Sequence, residues 1–287
     1  MQIQPRRDKF AVASLVNSSK FGRETQGVLM RATITVAVLC LLAPLPGLSQ
    51  TASHVVISEV YGGGGNTGST WKNDFVELYN PTNDPVVMTN WSLQYQSASG
   101  IGGFTNKAIF SGTIMPRGFF LVQLSQGAGG TTTLPIPDAF PSNALMLSSS
   151  AGKVALVRDT LSVTNANDPN VVDFIGYGGA NKFEGSGPAP TLSNTTSAER
   201  KASGSSTASS LAQGGSEQNA GNGWDSDNNA SDFVVQTAIS PQNSASPKEP
   251  AGSILAGIGS AVMSPSVIKA DTGIALSFII RGTTQGT

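Results

Sequence analysis

The residues best suited to chemistry in this chain are carboxylates. The densest run is Asp225-Ser-Asp227-Asn228-Asn229-Ala-Ser-Asp232, where hard oxygen ligands crowd together as a hard cation such as calcium requires. The spacing is not that of a helix-flanked calcium loop, because Ala230 holds the sixth position where a glycine is needed and Gln236 the twelfth where a glutamate is needed. The expectation is a low-affinity calcium site built from Asp225, Asp227 and Asp232 in an irregular turn. The competing reading is an Asx-type turn, which Asp and Asn form unaided, leading into a strand at Phe233.

A second pair, Glu59 and Glu77, falls in two runs that read as adjacent strands. Two neighbouring carboxyls could divide acid and base roles in glycoside cleavage. Against that stands the plainer expectation that both are solvated or bonded to loop amides. Other catalytic schemes lack parts. His54 is the one histidine and lies close to where the mature chain is expected to begin, and Cys40 is the one cysteine, so neither zinc chemistry nor a serine nucleophile with its base is supported. The glycine run from Gly62 to Gly68 lacks the Gly-Lys-Ser/Thr ending and the following helix of a phosphate loop, and reads as a connection. Trp71, Trp91, Tyr95 and Trp224 read as core or rim packing. The residues thus predict no catalytic group and no cofactor other than the calcium.

The elements that must position these groups are strands. Runs at 54–61, 74–81, 91–96, 107–110, 118–124, 144–147, 153–158 and 171–177 are dense in β-branched and aromatic residues, and Gly, Pro, Asn and Asp separate them. In 74–81 a period of two sets Val76 and Leu78 on one face and Phe75, Glu77 and Tyr79 on the other, so one face is apolar and one mixed. With 33 Gly, 16 Pro and 12% charged residues, few stretches could hold a long helix. The fold class expected is all-β, a sandwich of two sheets.

The order Ile57-Ser-Glu-Val-Tyr61, a glycine-rich loop, Asp74-Phe-Val-Glu-Leu-Tyr-Asn-Pro81 and Asn90-Trp-Ser-Leu93 resembles the lamin-tail domain family. So do the Pro116-Arg-Gly118 turn before an aromatic strand and the hairpin Ser149-Ser-Ala-Gly152-Lys-Val-Ala-Leu156. Three later stretches, 178–185, 197–201 and 225–235, extend the resemblance to about residues 54–243. It implies an immunoglobulin-like sandwich and identifies a module, not a reaction. The departure from the family pattern is an insert at 203–222, rich in Ser, Gly, Ala and Gln, expected to be a flexible surface loop because it has little apolar surface to bury.

The ends divide as follows. Met30-Arg31 and the apolar run Ala32 to Ala43, closed by Pro44 and Pro46, have the form of a secretory signal peptide. Residues 30–50 are therefore expected to be removed, with 1–29 an upstream extension and Met30 the start; a long cytoplasmic n-region is the alternative. The run is short for a membrane span, so none is expected to remain after cleavage. Domain 51–243 is followed by a Pro- and Ser-rich linker at 244–253 and by 254–287, whose partly alternating apolar residues read as the truncated start of a second immunoglobulin-like module.

Residues 1–50 hold six of the 17 Lys and Arg but two of the 18 Asp and Glu, leaving 11 basic and 16 acidic residues, net −5. No basic stripe remains to grip a phosphate backbone, which argues against nucleic acid as a partner. The expected function is a non-catalytic binding, adhesion or targeting module of a secreted, bacterial, multidomain protein with an extracellular or cell-surface ligand. The alternative is an ancillary fragment of a secreted nuclease or phosphatase whose catalytic domain lies beyond Thr287.

Overall fold

A computed structural model describes residues 50–250. Nine strands run in the order β1 (Val56–Tyr61), β2 (Asn73–Tyr79), β3 (Val86–Ser97), β4 (Asn106–Ile114), β5 (Phe119–Gln126), β6 (Gly152–Val157), β7 (Val171–Tyr177), β8 (Ser197–Arg200) and β9 (Phe233–Gln236). Two single-turn helices, α1 (Ala208–Leu211) and α2 (Asn229–Asp232), lie between the last two strands. The strands form a five-stranded sheet, β5-β2-β1-β8-β9, and a four-stranded sheet, β4-β3-β6-β7, each antiparallel throughout. The all-β sandwich expected from the residues is the fold, and it is immunoglobulin-like, as the resemblance implies.

The main core lies between the sheets. Ile57, Val60, Val76, Leu78, Phe120 and Val122 from one sheet meet Trp91, Leu93, Tyr95, Val154, Leu156 and Ile175 from the other. Val76 and Leu78 face inward as their period of two requires. The outer face of the five-stranded sheet is also covered, so every residue of β2 is buried. Two small apolar clusters sit there: Val56, Tyr79 and Phe119, and Tyr61, Phe75, Leu121 and Leu134. The mixed face of β2 is thus interior, with Glu77 between aromatic neighbours.

Three expectations need revision. Residues 144–147 are not a strand: the chain there is an extended connection whose Leu147 amide is taken by the Asp74 carboxylate at 2.9 Å. The insert at 203–222 is not a bare loop. Thr207 caps α1 through a reciprocal pair with Ser210, Leu211 is buried, and Glu217 accepts the hydroxyls of Ser203 and Ser210. Serine hydroxyls and one leucine thus do what the low apolar content could not. Residues 244–250, assigned to a linker, pack on the sandwich: Glu249 is buried, its amide donates to Arg117 O at 2.9 Å, and its carbonyl accepts Tyr79 Oη at 2.7 Å. The proposed extension at 1–29, the signal peptide apart from Gln50, and the second module at 254–287 lie outside the described residues.

Candidate functional site: a carboxyl-lined cavity

The outer face of the five-stranded sheet carries a row of glutamates. Antiparallel register sets Glu59 of β1 opposite Glu77 of β2 on one side and Glu199 of β8 on the other. Directly opposed residues bring their side chains to about 5 Å at Cβ, so like charges there repel. A bulge at Ser58 produces this alignment: Ile57 pairs with Leu78 and Glu59 with Glu77, leaving Ser58 as the extra residue. Ser58 Oγ then donates to Glu77 Oε1 at 2.6 Å, and Ser197 Oγ to Glu59 Oε1.

Two segments cover the row. From β9 and the tail, Gln236 Nε2 donates to Glu199 Oε2 at 2.6 Å, the Gln242 amide to Glu77 Oε2, and Gln242 Nε2 to Glu249 Oε1 at 2.8 Å. From the 203–222 segment, Asn222 Nδ2 bonds Arg200 O at 2.6 Å and reaches Glu199 Oε1 at 3.3 Å. Between cover and sheet is a cavity of about 400 Å³ whose lining includes Glu59, Glu77, Glu199, Glu217 and Glu249, several Gln and Asn amides, and no Lys, Arg or His.

Burial without a cation disfavours ionisation. Glu59 and Glu77 are 4% and 3% exposed. Burial pushes Glu77 up to about 8, against the lowering effect of Ser58 and the Gln242 amide, while Glu199 and Glu249 add to the rise. Glu59 is raised well above the ordinary carboxyl range by burial first, then by Glu77 and Glu199. Burial also raises Glu199 and Glu249. Only Glu217 goes the other way: burial would raise it, but the Ser210, Ser203 and Ser206 hydroxyls together lower it. Neutral Glu59 and Glu77 can donate as well as accept hydrogen bonds. Each is tied to a hydroxyl, and Glu77 also to a backbone amide.

The aspartates singled out as calcium ligands are parted by a cation from the chain itself. Arg200 is fully buried; its Nη2 donates to both Asp173 oxygens, at 2.9 and 2.7 Å, and its Nη1 to Asp225 Oδ1 at 3.3 Å, with Asp232 Oδ2 4.0 Å away. His54 Nε2 lies 3.5 Å from the other Asp225 oxygen. Asp232 accepts the Ser226 and Asn228 amides, which makes it the side-chain cap of this turn. Asp227 is exposed, at φ 52°. Among the described residues no group of three or more His, Cys, Asp or Glu side chains is arranged to hold a metal ion. The charge crowding read from 225–232 is relieved by Arg200.

The remaining groups are structural in position. Gly64 N donates to Asp74 Oδ1 at 2.8 Å, so an amide of the glycine run faces a carboxyl of this chain; burial pushes that carboxyl up to about 7. Trp91 and Tyr95 are in the main core, while Trp71 and Trp224 are half-buried. Sequence reasoning missed Glu199 and Glu249 as partners of the Glu59–Glu77 pair, and Arg200 with Asp173. The alternation Ser197-Ala-Glu-Arg200 could have placed Glu199 on an outer face, but nothing local marks Arg200 as buried.

Residues 49–179 match the family model of the lamin tail domain. A comparison with curated proteins gave no match. Among solved structures, a DUF4876 family protein from Bacteroides thetaiotaomicron VPI-5482 is similar at a TM-score of 0.40 and 13% identity, covering 66% of this chain and 72% of that one.

Proposed function

We propose that the lamin tail domain at residues 49–179 makes this chain a non-catalytic binding module, for adhesion or targeting, in a secreted bacterial multidomain protein with an extracellular or cell-surface partner. The family is a non-catalytic, immunoglobulin-like one. Among the described residues no helix is long and apolar enough to cross a membrane.

The observation that carries the binding role is a set of large apolar side chains left in solvent. In the single connection between β5 and β6, Ile136 is 83%, Phe140 63% and Met146 75% exposed. Asn143 of the same connection donates to Lys107 O on the edge strand β4, where Ile109 is also exposed. Scattered exposed apolar residues are ordinary, but several in one excursion beside an edge strand favour contact with a partner.

The test uses the purified full chain, labelled and applied to bacterial cells and to immobilised extracellular glycans and proteins. Phe140→Asp and Met146→Asp are expected to lower retention by about tenfold where one anchor is lost, without changing the fold. Retention unaffected by both substitutions would remove this surface from the reading. Hydrolysis of nuclease, phosphatase, esterase or glycosidase substrates, lost in Glu77→Gln, would overturn the non-catalytic role.

A further inference from the structure

We propose that the tail 237–250, together with the 203–222 segment beside it, is a proton-held cover over the carboxyl-lined cavity: closed while the glutamates beneath are protonated, lifted when they ionise. This inference does not depend on what the module binds.

The geometry supplies each part. Three glutamates stand in register on three adjacent strands, and a fourth, Glu249, belongs to the cover itself. The groups facing the cavity are Glu59 from β1, Glu77 from β2, Glu199 from β8, Glu217 from the 203–222 segment and Glu249 from the tail, while Gln236 of β9 contributes only an amide. Arg117 approaches from the β4–β5 turn, but it is turned towards Pro81 and Asn83. The hydroxyl of Tyr79 borders the same region through Glu249.

Neutral carboxyls fit this enclosure. Two or more carboxylates do not, because each loses hydration on burial and repels its neighbours with no internal cation to offset it. Relief has an obvious direction. The sheet beneath is held by continuous ladders, whereas the tail is attached by the Gln242 and Glu249 bonds, the Tyr79 hydroxyl, the Gly221 amide on Pro250 O, the Asn243 side-chain amide on Ile136 O, and the Asp138 carboxylate, which accepts the amide and hydroxyl of Ser244. Lifting the tail admits water to Glu59 and Glu77 and carries Glu249 away from both. Burial that pushes Glu77 up to about 8 puts the change in the neutral to mildly alkaline range.

Amide hydrogen exchange on the full chain, corrected for intrinsic rates, tests this at about pH 6 and about pH 9. Protection of the Gln242 amide is expected to fall by at least about tenfold, the ratio that one proton linked over one pH unit produces, while Leu93 and Leu156 in the other sheet keep theirs. Glu59→Gln with Glu77→Gln should flatten the dependence. Should that pair fail to fold, Glu249→Gln, on the cover, should reduce it in the same assay. Protection of Gln242 that is unchanged with pH, that falls in step with Leu93 and Leu156, or that keeps its full pH dependence in the folded variants, overturns the proposal.

Discussion

Arg200 and Asp173 form a two-pronged ion pair, 2.9 and 2.7 Å, with Arg200 fully buried and Asp173 nearly so, and the pair joins β8 of one sheet to β7 of the other. Arg200 Nε also donates to Ile57 O at 2.8 Å, and its guanidinium lies 4.5 Å from the Phe233 ring centre. The pair therefore fixes how the two sheets meet at this end of the sandwich.

Removing one partner leaves the other charge buried and uncompensated. Arg200→Ala should destabilise by about 3–5 kcal/mol, since three aspartates lose their shared cation. Thermal melting is expected to drop by roughly 10 °C or more for a domain of this size. A drop of a degree or two would mean that Asp173 and Asp225 are solvated instead.

Stability should decline as pH rises. The folded-state value of Glu77 is raised to about 8 from an ordinary 4.5, so the folded chain holds more protons than the unfolded one between those limits. Its contribution is fully present below about pH 4.5, is lost as pH climbs to about 8, and is flat beyond; a single proton changes the unfolding free energy by about 1.4 kcal/mol per pH unit in that window. Urea unfolding across the range measures this. Glu77→Gln should make the curve shallower.

Calcium should have little effect. Asp225 and Asp232 already face Arg200 and backbone amides, and Asp227 points to solvent. Melting is expected to stay within about one degree on adding a few millimolar calcium, whereas an ion bound only to the folded state would raise it. Asp232→Ala, by contrast, should cost about 1–3 kcal/mol with or without calcium, because the Ser226 and Asn228 amides lose their acceptor.

Tyr79→Phe removes one tether of the tail, the hydroxyl bond to Glu249 O. The expected loss is about 1 kcal/mol, felt locally as faster exchange in 242–250 with the strands of the four-stranded sheet unchanged. Equal loosening of both sheets would show that the tail is part of the main cooperative unit.

Strands β1 to β7 and the inward facing of Val76 and Leu78 were readable along the chain, whereas 144–147 read as a strand and is not one, and β8 was not read as one. Alternation at Val76 and Leu78, with turn residues at every break, depends only on neighbours in sequence. The pairing of Glu59 with Glu77 was readable as an adjacency of strands. Their burial was not. A mixed strand face looks solvent-facing until something covers it, and what covers it comes from residues more than a hundred positions away whose composition suggests a loop and a linker. The same distance hid Arg200. The carboxyls at 225, 227 and 232 read in sequence as a calcium site, and only the tertiary structure brings the guanidinium to Asp173 and Asp225 and within 4.0 Å of Asp232. Local pattern determines which face a side chain takes, because backbone geometry sets the period. Whether that face meets water, a cation or another carboxyl is decided by long-range packing, which no local pattern encodes.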